Sequence, residues 1–376
     1  VALQRARSQS IPLVLGSATP ALESWYQAET GQFQRLQLPR RALDRPLPDV
    51  ATIDLRIDDD SQGRPGAISR KLHQEICAAV EHGGQVILLL NRRGFSTRIQ
   101  CPACGNVEHC PDCSIPLTHH REGNKAVCHY CDFAMPAPAF CPECGFAAIR
   151  FPGIGTQKLE SEVRSRFPDL VCERMDTDTM RRPGSHEDVL SRFRQGEINI
   201  LLGTQMIAKG LDFPDVTLVG VINADTALHF PDFRAAEKTF GLVTQVAGRS
   251  GRGAKGGRVL VQTFSPDHPA IVAATRHDYR QFAEYEMPLR RQYGYPPFGS
   301  LARIVIRSES DVLACQMAEQ LASKLHDAAR DLSIGIRILG PAKATVEKLR
   351  GKYRYHILIR GESADALQSV VRYAQD

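Results

Sequence analysis

Four Cys-x-x-Cys pairs fall within one short stretch: Cys101/Cys104, Cys110/Cys113, Cys128/Cys131 and Cys141/Cys144. Each such turn aims two thiolates at one point, so two turns make the tetrahedral sulfur site that suits zinc. Eight thiolates call for two closed, structural sites with no ligand position left for catalysis. The stretch interrupts an alternation of strands and helices, so its two ends must lie close together. The chain holds 11 cysteines, and a disulfide framework is the rival reading. Paired spacing, 43% hydrophobic residues and no recognisable secretory leader favour metal. Cys77, Cys172 and Cys315 stand alone, and Cys77 and Cys315 read as plain helical core.

With 376 residues the chain has room for two or three domains with real cores. The net charge of +5 is compatible with a nucleic-acid partner without being diagnostic of one. No run of about 18 apolar residues occurs, so no membrane association is expected. Val1–Ser10 reads as a polar approach to a strand at Pro12–Leu15. The chain is therefore expected to be truncated at its N-terminus or cut from a longer protein.

Gly16-Ser17-Ala18-Thr19-Pro20 ends that strand, and a helix is expected from Ala21. Thr19 reads either as a helix N-cap ahead of Pro20 or as a functional hydroxyl. Residues 31 to 66 are rich in Pro, Arg and Asp and predict a linker with one strand, Ala51–Leu55. Apolar residues Leu72, Ile76 and Ala79 predict one face of a helix over Ser69–Glu81. Buried strands are expected at Gln85–Leu90, Leu170–Arg174, Ile198–Gly203, Val216–Asn223 and Arg258–Phe264. Helices are expected up to Arg166 and over Glu187–Gln195 and Thr239–Ala247. Such alternation implies a parallel sheet covered on both faces. A second composition begins near Glu284. It has strands at Leu301–Arg307, Ile336–Leu339 and Arg354–Arg360, and helices at Asp311–Leu332 and Ala364–Ala374. Leu313, Met317, Leu321 and Leu325 are spaced as one apolar stripe. No internal repeats are evident.

Gln245-Val246-Ala247-Gly248-Arg249-Ser250-Gly251-Arg252-Gly253 is the sharpest chemical signal. Arginines three apart on one turn reach the same anion, and each offers a fixed fork that matches phosphate oxygens. Upstream, Gly203-Thr204-Gln205-Met206-Ile207-Ala208-Lys209-Gly210-Leu211-Asp212-Phe213 is a buried strand ending in a Gly/Thr turn and a carboxylate. Together with Gly16–Pro20 these stretches resemble motifs III, V and VI of superfamily 2 helicases. The resemblance narrows to the replication-restart helicases of the PriA, or primosomal protein N′, family. It is carried by Gly203–Asp212, Phe213–Val216, Asp232–Glu237, Gln245–Arg252, Asn91–Ser96, Gly155–Glu160, Tyr295–Phe298 and the cysteine spacing, and it covers essentially the whole chain.

The resemblance implies a RecA-like helicase lobe with a parallel sheet, an inserted two-zinc subdomain and a small α+β C-terminal domain. Residues 1–45 would end lobe 1, and 46–98 would be linker and the start of lobe 2. The zinc insertion would span 99–149, the rest of lobe 2 150–270, and the last domain 284–376. It implies an ATP-dependent 3′-to-5′ DNA helicase. Arg252 would be the arginine finger, with Arg249 beside it, Gln245 positioning nucleotide or water, and Gly210 and Asp212 in the nucleotide cleft. Ser17 and Thr19 would couple nucleotide state to DNA grip, and Thr204 and Gln205 would meet a DNA phosphate. Lys343, Lys348, Arg350, Lys352 and Arg354 interleave with Tyr353 and Tyr355, a pattern that suits a nucleic-acid surface or a solvated strand edge. Implied cofactors are two Zn²⁺ in this chain, with ATP and Mg²⁺ in the complete enzyme. Implied partners are forked and single-stranded DNA, primosome proteins and single-stranded-DNA-binding protein, for a cytoplasmic monomer. The sequence contains no Gly-x-x-x-x-Gly-Lys-[Ser/Thr] loop and no Asp-Glu-x-His box. This chain alone is therefore expected not to turn over ATP, and a non-enzymatic zinc-stabilised DNA-binding scaffold is the alternative. Four turns permit adjacent, crossed or nested pairing. Adjacent pairing would be tight, with only five residues between Cys104 and Cys110. Spacing favours nesting, and the resemblance implies it. His109, His119, His120 and His129 are candidate substitutes for a thiolate.

Overall fold

The computed structural model describes residues 2–38, 47–57, 66–90, 98–120, 122–147, 150–151, 156–175, 185–204, 213–248 and 256–375. The first element is a helix, α1 (Ala2–Gln9), where a polar approach was expected, and Pro12–Leu15 forms no strand. Those apolar residues find no ladder partner among the described residues, and Val14 stays 85% exposed. The next helix, α2 (Leu22–Glu29), starts at Ala21 as expected; Thr19 does not cap it, and its backbone N–H instead donates to Ser17 Oγ at 3.1 Å.

Six strands form one parallel sheet: β1 (Asp49–Asp54), β2 (Gln85–Leu89), β8 (Cys172–Met175), β9 (Ile200–Gly203), β10 (Val216–Val221) and β11 (Arg258–Thr263), in the order β1-β11-β10-β2-β9-β8. Successive side chains in a strand point to opposite faces. Val86 and Leu88 therefore enter one core with Ile200, Leu202 and Leu218, while Ile87 and Leu89 enter the other with Leu201, Val219 and Val221. Helices α3 (Arg70–Glu81) and α4 (Thr156–Arg166) cover the first face through Leu72, Ile76, Leu159 and Val163. Ser69 caps α3, its Oγ accepting from Leu72 N at 3.2 Å. The second face is covered by α5 (Ser185–Arg194), α7 (Ala235–Ala247), α8 (Pro269–Thr275) and α9 (Tyr279–Gln292), while α6 (Asp225–Leu228) is a single turn after β10. The solitary cysteine in the core is Cys172, at 3% exposure, whereas Cys77 and Cys315 are only half-buried.

Helices α8 and α9 lay outside the expected pattern, although their starts carry readable caps. His268 precedes Pro269, and Asp278 accepts from Gln281 N at 2.9 Å. Residue 284, where the composition changes, lies inside α9.

Between β2 and α4 the chain leaves the sheet and makes five short strands: β3 (Arg98–Ile99), β4 (Thr118–His120), β5 (Lys125–Val127), β6 (Ala134–Pro136) and β7 (Arg150–Phe151). β3 pairs with β7, so the segment's ends are adjacent, as an insertion requires.

The last domain is an antiparallel sheet of β12 (Ser300–Ser308), β13 (Arg337–Leu349) and β14 (Lys352–Gly361), order β12-β14-β13, with α10 (Asp311–Asp331) and α11 (Ala364–Tyr373) on one face. The apolar stripe of α10 is the expected one only in its C-terminal half, where Leu325 is buried and Leu321 packs against the core. Ala314, Ala318, Ala322, Leu325 and Ala328 are buried, while Leu313 and Met317 are each 54% exposed. Alanines let the helix axis lie close on the sheet, a seat too shallow for the longer side chains at 313 and 317.

Candidate metal centres and nucleotide-cleft residues

The cysteine segment repeats one small unit four times, a periodicity too short and too varied to stand out in the sequence. In each unit the residue after the second cysteine has positive φ: Gly105 at 82°, Ser114 at 51°, Asp132 at 63° and Gly145 at 73°. Its N–H donates to the carbonyl of the first cysteine at 2.9, 2.9, 3.0 and 2.9 Å in turn. Further along, Asn106, Ile115, Phe133 and Phe146 return a carbonyl to the first cysteine's N–H. Each turn so closed leaves its two sulfurs on one side. Gly105 is obligatory on a second count, because a Cβ there would stand 2.4 Å from Phe264 O.

The four turns pair in nested fashion. Cys101, Cys104, Cys141 and Cys144 form one tetrad and Cys110, Cys113, Cys128 and Cys131 the other, all sulfurs of a tetrad lying within 4.8 Å of one another. The Cys101–Cys144, Cys104–Cys141 and Cys110–Cys131 sulfur pairs are each 3.6 Å apart. A tetrahedral zinc with bonds of about 2.3 Å places its sulfurs roughly 3.8 Å apart, so the donor set fits that ion. Packed without a cation, the thiols cannot ionise together. Hydrogen bonds from Cys113 and Cys128 pull the Cys110 thiol well below its usual range, and its thiolate in turn drives Cys113 upward. A divalent cation resolves that conflict by taking all four as thiolates. None of the four histidines joins a tetrad. His109 Nδ1 pairs with Val107 O, His119 Nε2 with Asn124 Oδ1, His129 Nδ1 with Lys343 O, and His120 with Glu347.

The outer tetrad sits where the insertion joins the parallel sheet. Beside it, Gln100 is fully buried and donates to Asp225 Oδ1 at 2.9 Å, and Asp225 also accepts from Ser265 Oγ at 2.9 Å and Phe264 N at 2.9 Å. The inner tetrad faces the C-terminal domain. Tyr295 donates its hydroxyl to Cys113 O at 2.8 Å, His356 pairs with His129 O, and Leu339 and Leu358 complete a core around the cysteines.

Of the residues assigned to phosphate and DNA chemistry, Thr204 is half-buried at the end of β9, and Gln245 is exposed on α7. Gln205, Gly210, Asp212, Arg249 and Arg252 lie outside the described residues. Thr19 faces Gly241 of α7, where a Cβ would lie 3.7 Å from the threonine hydroxyl. The basic pattern of the last domain divides. Lys348, Arg350, Lys352 and Tyr353 gather at the tip of the β13–β14 hairpin, whose turn residues Arg350 and Gly351 have φ of 51° and 79°. Lys348 Nζ stands 4.3 Å above the Tyr353 ring. Tyr355, by contrast, is buried against α10, and Lys343 pairs with Asp311 and Glu347.

Three family descriptions match the chain: Primosomal protein N C-terminal domain over 291–376, PriA DNA helicase Cys-rich region domain over 110–136, and Helicase conserved C-terminal domain over 155–254. Replication restart protein PriA of Bacillus subtilis (strain 168) is 43% identical over 372 residues, 99% of this chain and 46% of that protein. The chain belongs to the PriA family. PriA of Synechocystis sp. is 41% identical over 96% of the chain and 44% of its own length, and that of Haemophilus influenzae 37% identical over 100% and 50%. The chain thus spans about half the length of the curated PriA relatives it matches.

The PriA Cys-rich region coincides with the inner tetrad, Cys110 to Cys131; the outer tetrad lies beyond its two ends. Thr204 and Gln245 fall within the helicase match and the hairpin tip within the PriA C-terminal domain. Gln100, Asp225 and Arg290 are buried polar residues that sequence reasoning missed. Their partners are far away along the chain, and no local pattern marks them.

Proposed function

We propose that this chain carries lobe 2, the zinc segment and the C-terminal domain of an ATP-dependent 3′-to-5′ DNA helicase that recognises stalled forks and starts primosome assembly in the cytoplasm. The observation that carries this reading is 43% sequence identity with a PriA protein over 99% of the chain, joined to two complete cysteine tetrads. ATP would bind between two lobes, with its α/β phosphates and Mg²⁺ held by a phosphate loop and acidic box that this sequence lacks. Arg252 would stabilise charge on the transferred phosphoryl group, with Arg249 beside it and Gln245 positioning water. Gly210 and Asp212 would link that cleft to DNA, and Thr204 and Gln205 would hold a strand phosphate. The hairpin tip of Lys348, Arg350, Lys352 and Tyr353 would meet DNA through charge and one ring face. Forked and single-stranded DNA, primosome proteins and single-stranded-DNA-binding protein are the proposed partners of a monomer.

Arg252→Ala in a longer protein that supplies the phosphate loop tests this. An arginine finger acts on the transition state, so kcat should fall by on the order of 10³-fold with nucleotide and DNA still bound. A loss confined to KM would make Arg252 a binding contact. An unchanged rate would favour the scaffold.

A further inference from the structure

Segments far apart in sequence meet at the head of α7. At the centre is Arg290 of α9, 1% exposed. Its Nη2 donates to Glu237 Oε2 at 2.7 Å, its Nε to Glu286 Oε1 at 3.3 Å and its Nη1 to Pro296 O at 3.2 Å. The guanidinium also lies 5.1 Å from the centre of the Phe233 ring. Glu237 turns its other oxygen to Leu22 N, at 3.1 Å, and so holds the first turn of α2. Beside this, Arg234 pairs with Glu23 at 2.5 Å, and the Tyr279 hydroxyl donates to Pro20 O at 2.7 Å. On the other flank Phe233 stacks on Tyr295, centroids 4.7 Å apart, and its N–H donates to the Tyr130 hydroxyl of the zinc segment at 3.3 Å.

A guanidinium stays charged when buried and offers its donors in a rigid plane, so this fork fixes the carboxylates around it in direction as well as distance. Glu237 lies in the first turn of α7, and Gln245 is eight residues on, about 12 Å along the axis at 1.5 Å per residue. A helix is stiff over that length, so what holds its head sets where its far end points.

We propose that Arg290 is a positioning residue. Through Glu237 it locks α7 to the segment after Gly16-Ser17-Ala18-Thr19-Pro20, so that this segment and the end of α7 at Gln245 keep one mutual geometry. The role rests on the reading that both stretches serve a nucleotide cleft; the lock itself does not. Trp25 of α2 is the only tryptophan of the chain and packs on Tyr279 at 4.9 Å, so it reports the lock directly.

The test has two arms. In this chain, Arg290→Met should retain both zinc ions and a cooperative melt but raise acrylamide quenching of Trp25 roughly twofold or more, as α2 opens locally. Arg290→Lys, which keeps the charge without the fork, should recover part of the protection. If Arg290→Met does not fold, Glu237→Gln decides, since it can still accept from Leu22 N while losing the ion pair. Unchanged quenching in either folded variant would overturn the lock. In a longer protein with a phosphate loop, the same variants should lower kcat by on the order of 10- to 100-fold at constant KM for ATP, as slight misplacement does. An unchanged kcat beside an exposed Trp25 would overturn the positioning role. Wild-type protein without ATP hydrolysis would instead mark failure of the helicase reading, and the quenching arm would still decide the lock.

Discussion

Glu286 shows what the cost of burial does to one side chain. Burial pushes its carboxyl up to about 7 from 4.5, with Arg290 opposing. A folded-state pKa above the unfolded one means that the fold prefers the proton. The stabilisation is complete below about pH 4.5 and is lost as pH rises through 7. Glu286→Gln keeps an acceptor for Arg290 and removes the titration. Relative to wild type it should gain roughly 2–3 kcal/mol between pH 5 and pH 8, read from urea midpoints at both. Gly241 is a second residue with a readable consequence. It sits inside α7 with ordinary contact distance to Thr19 and no positive φ. Gly241→Ala should therefore raise stability by about 0.5–1 kcal/mol, seen as a higher thermal midpoint. Neither residue announces itself in the sequence. The environment of Glu286 is set in part by Arg290 four residues on, which is itself covered by Glu237 of α7 and Phe233 of the turn before it.

At the scale of elements, legibility follows how local the cause is. The central parallel strands are mostly apolar runs buried on both faces, so β2, β9, β10 and β11 are plain in the sequence. The cysteine turns were plain as well, since each closes on itself within six residues. Pro12–Leu15 looks like a strand for the same reason that β2 does, but composition cannot supply a neighbouring strand. The helix α10 failed differently. Leucine spacing marks a face that meets the sheet at Leu321 and Leu325, yet in the first turns the sheet takes Ala314 and Ala318 in place of Leu313 and Met317. Ala318→Leu should consequently overpack that seam and cost about 1–3 kcal/mol, while Leu313→Ser and Met317→Ser should stay within about 0.5 kcal/mol. Chemical denaturation of the three variants distinguishes the two faces. Nested pairing makes a comparable demand on the metal sites. Cys110→Ser should lower zinc from two ions per chain to one by elemental analysis, because the outer tetrad shares no sulfur with the inner. Loss of both ions, with the parallel sheet still folded, would contradict independent sites.

Across the whole molecule, the zinc segment is a joint. Its outer tetrad is fixed to the parallel sheet through Gln100 and Asp225, and its inner tetrad completes a core with Tyr295, Leu339 and Leu358 of the C-terminal domain. A segment of that size would not hold a core by itself, and here it borrows one as well as binding metal. The parallel sheet has its own two cores and takes no residue from the inner tetrad. Damage to the inner site should therefore pass first to the C-terminal domain, reach the head of α7 only through the Tyr130–Phe233 contact, and spare the strand that ends at Thr204. In a longer protein with a phosphate loop, Cys110→Ser together with Cys128→Ser should leave DNA-stimulated ATP hydrolysis measurable, because Arg290 and Leu22 N still hold Glu237 at the head of α7. Unwinding needs more. A rigid feature must hold or split the duplex while the motor advances, and a knob clamped between two domains is suited to that. ATPase and fork unwinding measured on one preparation should separate, with unwinding falling further. Proportional loss of both would make the zinc segment a folding element of the sheet domain and nothing else.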